Sequence, residues 1–408
     1  MLYAGCQWGM LSVLAKLGSA SIVGQFTLGL AVSAPIFMFS NLQLRAVQAS
    51  DVNCEYKFAD YFTLRLIATA LGLAVLAGML FFMRVPAMVK LAILLVSVTK
   101  TFECMSDVIG GLLQREEQLR RAAISLMIRG SASLIALSLV FAWFRRLPPA
   151  LATMCAVWLS VLVFYDLRNA RRIVGPCESF FRCDWRTLRR LALLGLPLGW
   201  VTTFVSLNAN IPRYFLEHER GLADQGIYAS LAYLAIAINL IASALSQSAT
   251  TRLAHFFAAG DLKQFVRLLR KLSLLGIIIP VIGVPLALMA GKPLLTLLYR
   301  KEYAEHTDLL ALIMVTAGFN TVMAFLFCGM NAARRYRALV PAYLAGMLAG
   351  VIGSALLIPY FGLFGAGMAM LISAIVTVVG ILQPLMKAVR ERGTLRERDQ
   401  LQPEPIQV

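Results

Sequence analysis

Stretches of roughly 20 apolar residues recur from one end of the chain to the other, and this repetition constrains the fold more than any other feature. Leu64–Met83, Ile124–Phe144 and Ala366–Leu382 are examples. An α-helix rises about 1.5 Å per residue, so each such stretch suffices to cross roughly 30 Å of hydrocarbon. Of the 408 residues, 59% are hydrophobic and 14% charged, where soluble domains carry roughly 25% charged residues. A water-soluble fold is not expected, and no stretch is left over for a separate soluble domain.

The apolar pattern predicts an all-α membrane protein with about twelve transmembrane helices in two six-helix lobes. The expected spans lie near 2–17, 26–44, 62–83, 87–112, 123–143, 149–166, 190–211, 226–249, 273–290, 307–328, 338–358 and 364–386. The longest connector, Leu167–Arg189, falls midway and is rich in arginine. It separates an N-terminal lobe, 1–166, from a C-terminal lobe, 190–386, with a tail at 387–408 expected to be disordered.

Basic residues resist translocation, so alternate connectors report orientation. One set of connectors and the tail carry 26 Lys and Arg, and the opposite set carries 9. Lys16, Lys100 and Arg129 belong to neither set because they fall inside predicted spans. With an even number of spans, both termini are expected in the cytoplasm, and the protein is expected to be a multi-pass component of the cell inner membrane. The first span begins at Met1 without a basic leader and is barely long enough to cross. A start placed too far downstream is expected, the competing reading being a signal peptide ending near Gly18–Ser21.

The net charge of +17 does not imply nucleic acid, because the basic residues sit in short connectors rather than on a soluble basic face. Seven cysteines without a C-x-x-C pair and three isolated histidines suggest free thiols, no metal and no cofactor. No catalytic signature is present, and an enzyme is not expected.

The halves repeat each other weakly, as transporter lobes do. Gly24-Gln25-Phe26 opens span 2 as Gly226-Ile227-Tyr228 opens span 8, and the spans end in the polar runs 40–45 and 243–248. Each is followed by an amphipathic stretch, Tyr56–Arg65 and Leu253–Lys271. In the second, Lys263, Arg267 and Lys271 recur at helical spacing opposite Leu262, Phe265, Val266 and Leu269. This pattern fits a helix lying in the membrane interface, or equally a cytoplasmic extension of span 9.

Charged residues inside spans are costly and mark function by default. In span 4, Lys100, Glu103 and Asp107 fall at i, i+3 and i+7 and share one helical face. Span 5 adds Arg129, span 1 adds Lys16 and span 2 ends in Arg45, giving four cations and two acids able to converge. One reading is a hydrated cavity in which Arg45, Lys100, Arg129 and Lys16 hold a phosphate. The other is a pair of structural ion pairs, Lys100–Glu103 and Arg129–Asp107, that lock spans 4 and 5 together. Glu103 or Asp107 could also bind a coupling proton or Na⁺. In span 7, Pro197 interrupts the helix, and Asn208 and Asn210 gather near its outer end beside Pro212 and Arg213. These amides, with Gln247 of span 8, are candidate contacts for sugar hydroxyls, against the plainer role of capping a kinked helix. Pro35, Pro280, Pro285 and Pro341 suggest further bends, and Gly362, Gly365 and Gly367 suggest close packing at the start of span 12.

Four stretches carry a family resemblance: Phe37–Asp51 (FMFSNLQLRAVQASD), Lys100–Arg129 (KTFECMSDVIGGLLQREEQLRRAAISLMIR), Leu194–Leu216 (LGLPLGWVTTFVSLNANIPRYFL) and Gly226–Leu234 (GIYASLAYL). They resemble the polysaccharide transporter branch of the multidrug/oligosaccharidyl-lipid/polysaccharide exporter superfamily, the Wzx-like O-antigen and capsule flippases. The resemblance implies a two-lobed bundle that moves a lipid-linked (undecaprenyl-diphosphate) oligosaccharide across the membrane by alternating access. Implied partners are that lipid-linked oligosaccharide, membrane lipids and other polysaccharide assembly proteins. The rivals are a multidrug exporter of the same superfamily, expected to present an acidic cavity, and a membrane glycosyltransferase or polymerase, expected to carry a sizeable outer loop.

Overall fold

The backbone hydrogen bonds of this chain close almost entirely within helices, as hydrocarbon surroundings demand. A computed structural model describes residues 2–51, 55–175, 179–333 and 338–401, with the side chains at 49, 50, 197, 201, 237, 247, 248, 251 and 393–401 excepted. Among these residues every regular element is helical. Eight helices are long and apolar enough to cross a membrane, or nine when α9 (Trp185–Arg220), bent by 46° between Leu196 and Leu198, counts as one span. Three further spans have evident reasons for falling outside that set. The first, α1 (Leu2–Leu17), is short, and α5 (Ala87–Arg115) carries the charged face. The last long helix, α14 (Leu339–Leu401), is two helices joined at Gly362, whose φ of 55° and ψ of −126° only glycine adopts readily. With α1 and α5 added and α14 counted as two, the described residues hold the expected twelve.

Internal contacts divide the chain into Met1–Ser230 and Leu231–Val408. In the first unit α5 is central, packing on α2 (Ala20–Ser40), α3 (Leu44–Ser50), α4 (Phe58–Phe82), α6 (Leu119–Phe144) and α7 (Leu147–Val161). One apolar core joins Leu44, Tyr61, Phe62, Ile109, Leu112 and Leu191, and another joins Leu28, Val32, Leu76, Leu80 and Ile93. Leu71, Phe81, Phe82, Leu139 and Trp143 are exposed, as lipid-facing side chains are. The arginine-rich connector is partly helical. A π-helical turn (Leu162–Asp166) carries α7 directly into α8 (Leu167–Val174), and 176–178 lie outside the described residues. Phe180 then packs on Phe58 and Phe62 beneath the Arg171 guanidinium, 4.5 Å from its ring centroid. Asp184 caps α9 by accepting from Arg186 N and the Thr187 hydroxyl, which holds its carboxyl below the usual range.

The second unit contains the rest of α10 (Leu222–Ala258), α11 (Leu262–Leu298), α12 (Lys301–Ala304), α13 (Thr307–Ala332) and α14. The stretch 253–271 is a helical extension of α10 and α11. Gly260, at φ 71°, makes the turn, Asp261 caps α11 through Gln264 N, and Leu253, Phe265 and Leu269 are buried together. Of the apolar face expected there, Phe265 and Leu269 pack inward with Leu253, while Val266 is exposed. Helices α11 and α13 meet at Gly276 and Gly318, where a methyl group on either would strike the other's carbonyl oxygen. Helix α14 continues into the expected tail as far as Leu401, and 402–408 lie outside the described residues. Cys6, Cys104, Cys155, Cys183 and Cys328 are free thiols, and Cys54 and Cys177 lie outside the described residues.

Candidate functional site

Helix α5 presents Lys100, Glu103 and Asp107 on one face, and one turn further Gly110 and Gly111 leave a smooth surface. The short α3 lies across that surface. A methyl group on Gly111 would come within 3.2 Å of Arg45 Cα, so glycine sets the approach. Helix α2 reaches α3 through Leu42 and Gln43, whose φ values of 46° and 49° are left-handed. Such a turn is strained for non-glycine residues and persists because its surroundings fix it. Leu42 is buried, and its carbonyl abuts Gly195 of α9. The turn redirects the chain so that Arg45 reaches Asp107.

Asp107 is held by two guanidinium groups. Arg45 Nη1 lies 3.2 Å from its Oδ1, and Arg65 Nη2 lies 3.1 Å from its Oδ2. Arg65, in the second turn of α4, is 0% exposed and also donates to Asn41 Oδ1. Arg45 Nε donates to Gln114 Oε1 at 3.3 Å. Lys100 pairs with Glu103 along α5. The expected Lys100–Glu103 pair is therefore present, whereas Asp107 takes Arg45 and Arg65 in place of Arg129.

Arg129, 5% exposed on α6, sits with its guanidinium 5.1 Å from the Trp158 ring centroid. Among the described residues it makes no ion pair. Nearby, the π-helical turn at the end of α7 places Asp166, 2% exposed, where Ser106 Oγ of α5 donates to its Oδ2 at 2.7 Å. Ser125 Oγ of α6 is buried beside the same carboxyl, and the Arg129 charge of α6 acts on that carboxyl from beyond ion-pair distance.

Two cavities join these groups. One of about 410 Å³ is lined by Asn41, Gln43, Arg45, Lys100, Glu103, Asp107 and Gln114 among others. A second, of about 130 Å³, is lined by Arg45, Glu103, Ser106, Asp107, Ser125, Arg129 and Asp166 among others. Arg45, Glu103 and Asp107 belong to both. Arg45, Lys100, Arg129, Glu103 and Asp107 thus come together in one polar region of the first unit. Lys16 does not join them. It is exposed in the last turn of α1, near Leu17, whose carbonyl accepts from Arg145. Asn210 bonds to Ser206 O and accepts from Arg213, both on its own helix, and Asn208 is half-buried on α9. The side chain of Gln247 lies outside the described residues.

Sequence reasoning missed Arg65 and Asp166. Both fell at the edges of predicted spans, and Arg65 was counted with the connectors. With them included and Lys16 removed, the region holds four cations and three acids, a surplus of one positive charge. Among the described residues no group of three or more His, Cys, Asp or Glu side chains is placed to hold a metal.

No protein-family model matches the chain. It is 29% identical over 384 residues to the capsular polysaccharide biosynthesis protein CapF of Staphylococcus aureus, covering 93% of this chain and 94% of CapF. Among solved structures it is similar to an inward-facing multidrug resistance MATE family transporter of the MOP superfamily, with a TM-score of 0.76 and 11% identity over 96% of this chain and 95% of that one. It is also similar to the lipid II flippase MurJ in an inward closed conformation, with a TM-score of 0.70 and 13% identity over 96% of this chain and 88% of that one. These structural likenesses identify the fold as that of the MATE and MurJ transporters, and the chain as a multi-pass membrane protein.

Proposed function

We propose that the protein is a flippase of the cytoplasmic membrane. It moves an oligosaccharide carried on undecaprenyl diphosphate between leaflets by alternating access, for surface polysaccharide assembly. Its partners are the lipid-linked oligosaccharide, membrane lipids and other polysaccharide assembly proteins. Similarity to CapF supports the polysaccharide setting, and the fold shared with MurJ supports translocation of a lipid-linked substrate. The excess of 26 over 9 basic residues supports cytoplasmic termini.

The observation that carries the reading is Arg129. A guanidinium kept in the interior, facing a polar cavity and without an ion-pair partner among the described residues, is costly unless an anion completes it. Arg45 shares its carboxylate with Arg65, so its charge is only partly compensated. Arg45, Lys100 and Arg129 are the phosphate-binding groups in this proposal, and Lys16 has no part in it. A multidrug exporter would share the fold, but the positive surplus of the region favours an anionic cargo.

The test is restoration of surface polysaccharide in a strain lacking this protein, with membrane abundance measured in parallel. Arg129→Gln should remove a charge-assisted contact worth about 1.5–3 kcal/mol, or roughly 10- to 150-fold in affinity. Normal polysaccharide from a well-inserted Arg45→Gln, Lys100→Gln, Arg129→Gln triple variant would sink the proposal.

A further inference from the structure

Three carboxylates face the cation cluster, and they are not equally neutralised. Glu103 has Lys100, and Asp107 has two guanidinium groups. Asp166 has neutral donors, the Ser106 hydroxyl at 2.7 Å with the Ser125 hydroxyl beside it, and among the described residues its cationic neighbour Arg129 acts from beyond ion-pair distance. At 2% exposure its charge is therefore the hardest of the three to keep once an anion arrives. Ser125 Oγ, buried beside Asp166 and lining the same cavity, is a second hydroxyl able to donate to the carboxylate or accept from the neutral carboxyl. The π-helical turn that delivers Asp166 is a departure from regular helix of the kind found at working sites.

Charge balance makes the consequence specific. The region holds one surplus positive charge. A diphosphate diester brings two negative charges, which would leave one excess negative charge in a poorly solvated cavity. One proton on the cluster restores neutrality, and among the described residues Asp166 is the acid of the three that holds no cation within ion-pair distance. The charged groups that face Asp166 across this cavity are Glu103 and Asp107 of α5, Arg129 of α6 and Arg45 of α3.

We propose that Asp166 is a proton-binding site linked to the anion site, taking up one proton from solvent when the diphosphate binds and releasing it when the diphosphate leaves. This rests on the phosphate reading above and adds its regulation. The proton passes from water to a carboxylate oxygen, and no other bond forms or breaks. In the empty site the carboxylate attracts Arg129 from beyond ion-pair distance. In the filled site the phosphate takes that role and the neutral carboxyl bonds to the serine hydroxyls. Because the bound state holds more protons, affinity is greatest at low pH and falls as pH rises through the range in which Asp166 titrates.

The test uses the full-length protein in lipid nanodiscs and a short-chain prenyl diphosphoryl sugar, a diester whose charge is constant between pH 5 and 9. Calorimetric titration of the wild type in two buffers of different ionisation enthalpy counts protons directly, and about one should be taken up per ligand bound. Affinity should fall by up to about tenfold per pH unit. Asp166→Asn, a permanent stand-in for the neutral carboxyl, should bind with little pH dependence and no proton uptake. Zero proton uptake by the wild type, or an unchanged pH slope in Asp166→Asn, overturns the proposal while leaving the phosphate site intact. An affinity that follows Na⁺ against choline at fixed pH overturns it in favour of a metal cation. Failure of the wild type to bind the probe at every pH defeats the phosphate site itself.

Discussion

On the proposed reading, Asp107 and Arg45 divide a structural from a substrate-facing role within a single ion-paired group. Arg65 is fully buried, so Asp107→Ala would leave a guanidinium in the interior with only Asn41 as a hydrogen-bond partner among those described. Breaking a buried pair this way costs about 3–5 kcal/mol, which should appear as a lowered midpoint in thermal unfolding of the purified protein. The Arg45 side chain is 39% exposed, and pairs of that kind contribute only about 0–1 kcal/mol to stability. Arg45→Gln should therefore leave the unfolding midpoint nearly unchanged while weakening diphosphate binding. Equal thermal losses in the two variants would contradict this division. The charged face of α5 was legible because i, i+3, i+7 spacing fixes which residues of one helix adjoin. Partners on other helices were not. Whether Asp107 meets Arg45, Arg65 or Arg129 depends on the left-handed turn at Leu42 and Gln43, and nothing local in those two residue types announces it.

Glycines set how closely elements approach, and two sites of approach carry predictions. A side chain at Gly111 would displace α3 and move Arg45 away from Asp107. Gly111→Val should then reduce diphosphate binding without touching a charged residue, as measured by the same titration. The openings of α2 and α10 also meet: a methyl group on Gly24 would overlap Leu222 O, and one on Gly226 would overlap Ala20 O. Thr27 Oγ1 lies 3.1 Å from Gln225 Oε1, and Tyr214 donates to Ala31 O nearby. Gly226→Leu should part these helices and raise the reactivity of a cysteine placed at Thr27 toward a soluble thiol reagent. Unchanged protection would show that the contact tolerates bulk. The sequence marked Gly24 and Gly226 as matching positions of a weak repeat, but their contact is a tertiary fact. Helix content was legible nearly throughout, because a span needs only apolar length. The connector was harder. Residues 167–174 continue α7 as helix, since Asn169 and Ala170 are buried and give this otherwise basic segment a packed face.

For the molecule as a whole, the twelve-span architecture followed from apolar length and charge, and the MATE and MurJ likenesses identify the same fold. The cargo was less legible because membrane transport leaves no catalytic signature and is encoded in cavities assembled from several helices. Orientation is tested by reporter fusions after Pro176 and after Glu219, which should report the cytoplasm and the periplasm respectively. Fusions reporting the same side would overturn the topology. The central claim is that the cations lining the polar cavities of the first unit hold a lipid-linked diphosphate as it crosses the bilayer. It is tested most directly by reconstituting the protein in liposomes with a fluorescent prenyl diphosphoryl sugar and measuring how fast the inner-leaflet label becomes accessible to an external quencher. The wild type should accelerate exchange, and Arg129→Gln should slow it by roughly 10-fold or more at limiting substrate, at equal protein insertion. Exchange no faster than in protein-free liposomes, or equal rates for the wild type and the Arg45→Gln, Lys100→Gln, Arg129→Gln variant, would contradict the account.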